Sequence, residues 1–250
     1  MSGKIPTFNN PTIAEALCEM HFQTADGTGL SNGSFDRVAD ALRSDYPQHK
    51  DQETQDYEAV VGPQGVAVKP VGSPSKKRVF KHKEREHLVQ VGSNILTVNE
   101  LSNYPGWKVF EPDILSSLES MAKAEGIKSL SRIGIRYINK IPRGNEEPVG
   151  NWLKDNNYYP TGILSCVHKF ASRFEFRHDD EVRAVVTVAE GIDQKGDLPI
   201  LFDIDCIIES EIPIDNGSVS KAINKLHDLS WGVFGNSLTD RYKKFLDEGK

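Results

Sequence analysis

The segment 132–139, Arg-Ile-Gly-Ile-Arg-Tyr-Ile-Asn, has the residue types and spacing to bind a charged ligand on a β-strand. Alternate residues of a strand share a face, so Arg132 and Arg136 point to one side and Asn139 to the other. The two guanidinium groups then stand roughly 13 Å apart, too far to clamp one phosphate but suited to flank an extended anionic ligand. Gly134 between them leaves space above the sheet. A solvated or ion-paired sheet face is the alternative.

Asp203 and Asp205 form an Asp-x-Asp pair on one face of a second predicted strand. Such a pair binds a divalent metal ion when a third carboxylate or the phosphates of a substrate complete the coordination. Because no third ligand occurs at a matching spacing, we favour an ion-pair ladder between these aspartates and Arg132 and Arg136 on a shared surface. A site for a cationic or peptide ligand is the alternative. No metal and no cofactor are predicted.

Glu19 and His21 share the polar face of the first predicted strand, where they could transfer a proton. No nucleophile accompanies them, so we assign them to recognition rather than to catalysis. The residues predicted to bind a ligand or partner are Arg132, Arg136, Asn139, Asp203, Asp205, Glu19 and His21.

The stretch 76–85 is strongly basic. Its charges alternate in part with Val79 and Phe80, which predicts a strand with a basic face or a basic hairpin. Such a patch can contact RNA, DNA or an acidic partner, although charge runs at sheet edges are usually solvated and discourage aggregation. The residues predicted for nucleic-acid contact are Lys76, Lys77, Arg78, Lys81, Lys83 and Arg85.

Sequence templates for catalysis are missing. The chain has no Gly-x-Ser-x-Gly elbow, phosphate-binding loop, dinucleotide fingerprint or His-Glu-x-x-His motif, and its 7 histidines show no metal-ligand spacing. Cys18, Cys166 and Cys206 each lie in an apolar strand-like segment, which predicts buried free thiols rather than a metal site or a nucleophile. We therefore propose no catalytic residue and expect a protein that is not an enzyme.

Composition narrows the class of protein. A net charge of −6 and a pI near 5.7 argue against a general nucleic-acid binder, because such proteins neutralise phosphates with an excess of lysine and arginine. No apolar run approaches the roughly 20 residues that span a bilayer, and no apolar stretch of signal-peptide length follows Met1. A cytoplasmic location is expected.

Residue periodicity predicts alternating strands and helices through the first half of the chain. A strand over 16–23 precedes a helix that is capped by Ser34 and buries Phe35, Val38, Ala39 and Leu42. A second helix starts near Trp107 or just after Glu111 and ends at Gly126. Between these helices we predict short strands at 57–61, 66–71, 78–83, 88–91 and 95–101, with a turn at 72–74.

The second half repeats this order. We predict strands over 131–141, 165–177, 181–189 and 199–209, with a brief helix at 149–154. A terminal helix runs over 218–246, and Gly232 and Gly235 are its expected kink points.

Two similar tetrads suggest an internal duplication. Trp107-Lys-Val-Phe110 is matched by Trp231-Gly-Val-Phe234, and each half, 1–128 and 129–250, reads β-α-β(3–5)-α. Coincidence is the alternative, since aromatic–aliphatic tetrads are common. We predict one α+β domain with a single antiparallel sheet, helices on one face, and the two tryptophans as matched core anchors. The element order resembles the saddle of TATA-box-binding proteins or the helix-grip sheet of START-like domains, likenesses that carry no function.

Several segments together resemble a family of uncharacterised bacterial and archaeal proteins of about 250 residues with a sporadic distribution. The Arg-x-Gly-x-Arg-Tyr-x-Asn strand at 132–139 is its most specific mark. The other matching segments are 10–13, 15–22, 104–110, 203–205, Phe234 and 239–240, so the resemblance spans nearly the whole chain; His21 departs from the arginine frequent in the family. The resemblance implies no activity, cofactor or catalytic residue. Its patchy distribution implies a gene that travels, as anti-phage defence and toxin–antitoxin genes do.

These patterns favour a non-enzymatic binding or sensing module with a protein partner or a homo-oligomeric state. The alternative is a subunit of an anti-phage defence or toxin–antitoxin system that recognises a protein or nucleic acid and regulates an effector.

Overall fold

The strands and helices follow one another in nearly the predicted order. The computed structural model describes residues 8–24, 26–62, 65–101, 103–144, 146–192, 196–215 and 217–249, with the side chains of 54–75 left out. The first-half elements are β1 (Ile13–Phe22), α1 (Asn32–Leu42), β2 (Gln48–Gly62), β3 (Gly65–Lys81), β4 (His87–Gly92), β5 (Ile95–Glu100) and α2 (Trp107–Glu125). The second-half elements are β6 (Ser129–Ile141), β7 (Ala171–Arg177), β8 (Val182–Glu190), β9 (Ile200–Ile208), β10 (Ile212–Pro213), α3 (Ser218–Ser237) and α4 (Asp240–Glu248), with 3-10 turns at Val149–Asn151 and Thr161–Ser165.

All ten strands of the described residues belong to one antiparallel sheet, which confirms the α+β class. The strand order is β2-β3-β4-β5-β1-β6-β9-β8-β7, and β10 pairs with the start of β6. First-half strands therefore extend outward from β1, and second-half strands extend outward from its neighbour β6. A duplicated chain would give this arrangement. However, Trp107 begins α2 whereas Trp231 lies well inside α3, and both are half-buried, so the tetrads hold different places and the duplication stays a prediction.

The sheet has two unlike faces. Cys18, Met20, Ile135 and Cys206 belong to the main hydrophobic core, on the face against which α2 and α3 pack. We call this the helix-packed face. The opposite face, the open face, carries the alternate residues of the same strands.

Both helices of the first half end or begin near the predicted residues, with one correction. The N-cap of α1 is Ser31 rather than Ser34, because the two serines form a capping box in which Ser34 supplies the N3 position. The helix α2 begins at Trp107, the earlier of its two predicted starts, and Gly126 ends it with a φ of 68°.

Two predicted breaks were wrong. Segment 66–71 and residues 78–81 of the second segment belong to one strand, β3, because the predicted turn at 72–74 is absorbed by a register shift between Thr54 and Asp56 of β2. The predicted terminal helix instead divides into α3 and α4 after Ser237, beyond both predicted kink glycines. Thr239 causes the division, since its hydroxyl accepts the backbone N–H of Tyr242 and so starts a new helix.

The predicted strand 165–177 begins only at Ala171, after a 3-10 turn and a loop. Cys166 lies in that loop and is half-buried, so the prediction of a buried thiol was wrong for this cysteine. Cys18 and Cys206 are buried on the central strands, and burial raises the pKa of Cys206 to about 12.

A buried histidine links the helices to the sheet. The ring of His227 on α3 stacks on Trp107 with centroids 4.2 Å apart, and its Nδ1 lies 2.9 Å from the hydroxyl oxygen of Tyr137 on β6. The Tyr137 hydroxyl in turn lies 3.3 Å from that of Tyr104. Burial lowers the pKa of His227 to about 4, so the ring is neutral in the folded protein at neutral pH.

We expect this histidine to destabilise the fold in mild acid. An unfolded histidine titrates near 6.5, so between pH 6.5 and 4 the unfolded chain binds the proton that folded His227 rejects, and stability falls with pH. The expected loss from this group is about 2 kcal/mol between pH 7.5 and 5. Urea unfolding of the wild type and of His227→Phe at both pH values measures it. Equal pH dependence in the two proteins would contradict the prediction.

Candidate functional site

The open face of the three central strands brings together most of the residues predicted to bind a ligand. In the pairing of β6 with β9, Arg136 lies opposite Asp205 and Ile138 lies opposite Asp203. In the pairing of β1 with β6, Glu19 lies opposite Gly134. Because facing residues of an antiparallel pair share a face, the two arginines, the two aspartates and Glu19 occupy one surface. We call Glu19, Arg132, Arg136, Asp203 and Asp205 the open-face cluster.

Arg136 and Asp203 form a bidentate (two-pronged) ion pair. The guanidinium donates from Nε to one carboxylate oxygen at 2.8 Å and from Nη2 to the other at 2.6 Å. Asp203 is 15% exposed and Arg136 is 40% exposed, so the pair is partly shielded from water. These hydrogen bonds raise the pKa of Arg136 and occupy both oxygens of the Asp203 carboxylate.

Arg132 pairs with side chains of β1 rather than with an aspartate of β9. Its guanidinium donates to Glu19, lies 3.0 Å from His21 Nε2, and lies 3.9 Å from Glu209. The hydrogen bond with His21 lowers the pKa of Glu19 to about 2, with Arg132 adding to the effect. The predicted ladder is therefore only half right, because the register places Arg132 opposite His21 and away from Asp205.

Asp205 is the unpaired member of the open-face cluster. Within the described part of the chain its carboxyl group accepts no hydrogen bond and forms no ion pair, and the carboxyl is half-buried. A Cβ atom on Gly134 would lie 3.6 Å from Asp205 Oδ1, an ordinary van der Waals contact, so the carboxyl does not require a glycine there. Burial raises the pKa of Asp205 to about 6, against the nearby positive charges of Arg136 and Arg132.

Polar residues of β4 and β5 extend the surface away from the cluster, and sequence reasoning missed them. Gln90 donates to Asn99 at 2.6 Å, and Asn99 donates to Glu15 at 2.6 Å. Their alternation along the predicted strands was the available signal. On the other side, Val185 and Ile207 share the open face but are 3% and 2% exposed, so they add little to the accessible surface.

Asn139 does not belong to this surface. It lies on the helix-packed face, 1% exposed, where it donates to the carbonyl of Phe202 at 3.2 Å and its side-chain oxygen accepts from Thr12 at 3.2 Å. Because Asn139 follows Arg136 by three residues in the same strand, its side chain points to the opposite face. Asn139 is therefore a structural residue that joins β6 to its surroundings.

The basic stretch 76–85 is largely neutralised inside the chain. Arg78 donates to Asp51 and Asp36, and Lys83 donates to Asp45 at 2.9 Å. Arg85 contacts Glu100 and Asp113. Lys76 and Lys81 are exposed and Lys77 is half-buried, and strand alternation divides these three lysines between the two faces of β3. The stretch therefore offers no continuous cationic surface.

A groove of about 520 Å³ lies beside the end of β6, lined in part by Thr12, Lys140, Arg143 and Asp197. Its charged side chains already have partners within the chain. The groove therefore offers less for recognition than the open face does.

Comparison with known proteins adds no identity. No family model matches the chain, and no curated protein matches it significantly. No helix within the described ranges is long and apolar enough to cross a membrane.

Proposed function

We propose that this protein is a binding module whose open face receives a basic side chain from a protein partner at Asp205. One observation carries the proposal: Asp205 presents a half-buried carboxyl with no hydrogen-bond donor or ion-pair partner among the described residues. Since buried charges are normally paired, this carboxyl is suited to accept a donor from outside the chain.

Charge on the cluster favours a cation over an anion. Both guanidinium groups already have carboxylate partners, Arg136 with Asp203 and Arg132 with Glu19. An anionic ligand would have to displace those carboxylates, whereas a lysine or arginine would add a charge-assisted hydrogen bond to Asp205. Val185, directly opposite Asp205 in the sheet, is 3% exposed, so the apolar surroundings that desolvate this carboxyl belong to the protein itself.

The shape of the site favours a protein over a small molecule. Small ligands are usually held in concave cavities, whereas the cluster spreads over three neighbouring strands of an extended sheet. Protein–protein interfaces spread over roughly 20–30 residues on each side, so a surface of this breadth suits a protein partner. A protein partner is therefore the occupant that we propose.

Selection from a library of displayed peptides tests this proposal. We expect peptides retained by the wild type to share a lysine or arginine, and Asp205→Asn to weaken their binding at least tenfold because the charge-assisted hydrogen bond is lost. Binding should also weaken as the pH falls below about 6, where Asp205 becomes protonated. Fluorescence anisotropy with the selected peptides measures both effects.

The matched control is Asp40→Asn, which makes the same change at an exposed carboxylate on α1. It should leave peptide binding unchanged. Selection of acidic peptides, or equal binding by wild type and Asp205→Asn, would refute the proposal.

A role as a defence or toxin–antitoxin subunit stays a prediction that rests on the sequence resemblance. Its nucleic-acid form predicts a salt-dependent mobility shift with RNA or DNA. The internal pairing of Arg78, Lys83 and Arg85 gives that form little support.

A further inference from the structure

A second cluster of ionisable groups lies where β4, β5 and α2 meet. His87 at the start of β4 faces Glu100 at the end of β5, and Asp113 reaches them from α2. One ligand atom from each of these three residues lies within 4.8 Å of the other two. The side chains of His87 and Glu100 are 0% and 2% exposed, so two of the three are almost completely buried.

The hydrogen bonds of His87 are incomplete. Its Nδ1 lies 2.8 Å from Glu100 Oε2, but its Nε2 has no partner although the whole side chain is buried. Nδ1 is therefore the ring nitrogen that faces the carboxylates, and a metal ion bound by all three residues would replace the hydrogen bond between Nδ1 and Glu100.

The charges of the cluster also favour a bound cation. Arg85 contacts Glu100 at 3.4 Å and Asp113 at 2.7 Å, so a single guanidinium serves two carboxylates. The three charges sum to −1, and a divalent cation in place of the guanidinium would bring the sum to zero. Arg85 and Asp113 are 29% and 23% exposed, so this side of the cluster is accessible to solvent whereas His87 and Glu100 are not.

We propose that His87, Glu100 and Asp113 form a binding site for a divalent transition metal ion of the zinc type, which displaces Arg85. One imidazole and two carboxylates are a donor set that such ions accept, whereas calcium and magnesium prefer oxygen alone. With metal bonds of about 2.0–2.2 Å, tetrahedral ligand atoms stand roughly 3.4 Å apart, so the imidazole and Glu100 would separate slightly from their present 2.8 Å. The bound ion would join α2 to the paired ends of β4 and β5.

Metal binding to protein stripped with a chelator tests the site. Equilibrium dialysis with zinc should give about one ion per chain, and zinc at a hundred times its Kd should raise Tm by roughly 5–10 °C. Cobalt should give visible absorption. Asp113→Asn removes a ligand at a partly exposed position and should weaken binding at least tenfold while the protein still folds.

Arg85→Gln separates a metal site from a simple ion-pair network. At a metal site the change removes the competing cation, so zinc affinity should rise and added zinc should restore Tm. In a network without metal, the same change lowers Tm and zinc has no effect. Glu146→Gln, at an exposed carboxylate beside His168, is the matched control and should leave zinc binding unchanged. No zinc binding by both wild type and Arg85→Gln, or equal binding by Asp113→Asn, would overturn the proposal.

Discussion

Replacing Arg143 with methionine is expected to lower the free energy of unfolding by about 4 kcal/mol, because it leaves several buried groups without their donor. Arg143 lies in the loop after β6 and links this loop to the segment before β7, the end of β8 and the segment before β9. Its guanidinium donates to the backbone carbonyls of Leu198, Glu147 and Val167 at 2.8, 2.7 and 2.5 Å, and to the Glu190 carboxylate at 2.6 Å.

The burial of this arginine is what makes the loss large. Its side chain is 0% exposed and Glu190 is 14% exposed, so water cannot replace the lost donors without opening the structure. The guanidinium also lies 5.1 Å from the ring centre of Phe170, a contact that methionine keeps only in its apolar part. Removal of one member of a buried ionic network typically costs about 3–5 kcal/mol.

Arg241→Met is the matched control. This arginine also pairs with a glutamate, Glu147 at 2.6 Å, and also lies over an aromatic ring, Trp152 at 4.7 Å, but it is 48% exposed. Solvent screening should hold its contribution below about 1 kcal/mol. Urea unfolding at neutral pH measures both variants, and a similar small loss for each would show that the burial argument is wrong.

Asp203→Asn and Asp205→Asn, two residues apart on β9, are expected to change stability in opposite directions, with a difference of about 3 kcal/mol. Asp203→Asn breaks the two-pronged pair with Arg136 and should cost about 1–2 kcal/mol, between the values for exposed and buried pairs. Asp205→Asn removes a carboxylate that is charged and unpaired at pH 7.5, and it should stabilise the protein by about 2 kcal/mol.

The pH dependence identifies the cause. The pKa of folded Asp205 is about 6, above the value near 3.9 for the unfolded chain, so the folded state gains protons as the pH falls through 6 and the cost of this carboxyl shrinks. The advantage of Asp205→Asn should therefore decline below pH 6 and vanish near pH 4. In the wild type, the opposite loss from His227 partly masks this gain over the same range.

Chemical unfolding of the wild type and both variants at pH 7.5 and 5 distinguishes these contributions. Loss of stability in Asp205→Asn at pH 7.5 would contradict the interpretation of Asp205 as an unpaired charge. A stabilised variant that no longer binds peptides would show that this residue is kept for recognition at a cost in stability.

Local residue patterns predicted the elements that have a strong period or a specific cap. The alternation in 132–139 and the left-handed glycine at Gly126 depend on neighbours within a few residues, and both agree with the structure. The break before α4 could not be read in this way. It depends on a bridge between Leu153 and Leu238 and on the carbonyl oxygens of Asn151 and Trp152, to which the Thr239 hydroxyl donates.

The candidate metal site shows the same limit more sharply. His87, Glu100 and Asp113 lie on three different elements, and nothing in their spacing marks them as a set. Their proximity follows from the pairing of β4 with β5 and from the packing of α2 against β5. Sequence templates for metal sites detect ligands on one element or one loop and miss a set of this kind.

The sequence by itself determined that Arg132 and Arg136 share one face of their strand and that Asp203 and Asp205 share one face of theirs, because side-chain direction alternates with period two in any strand. Only the tertiary structure decided that these faces adjoin and that Arg136 pairs with Asp203 while Arg132 pairs with Glu19. It also decided that Asp205 has no partner among the described residues. Strand order and register set these partners. Both depend on how distant segments pack around one core, a global property that no local pattern encodes.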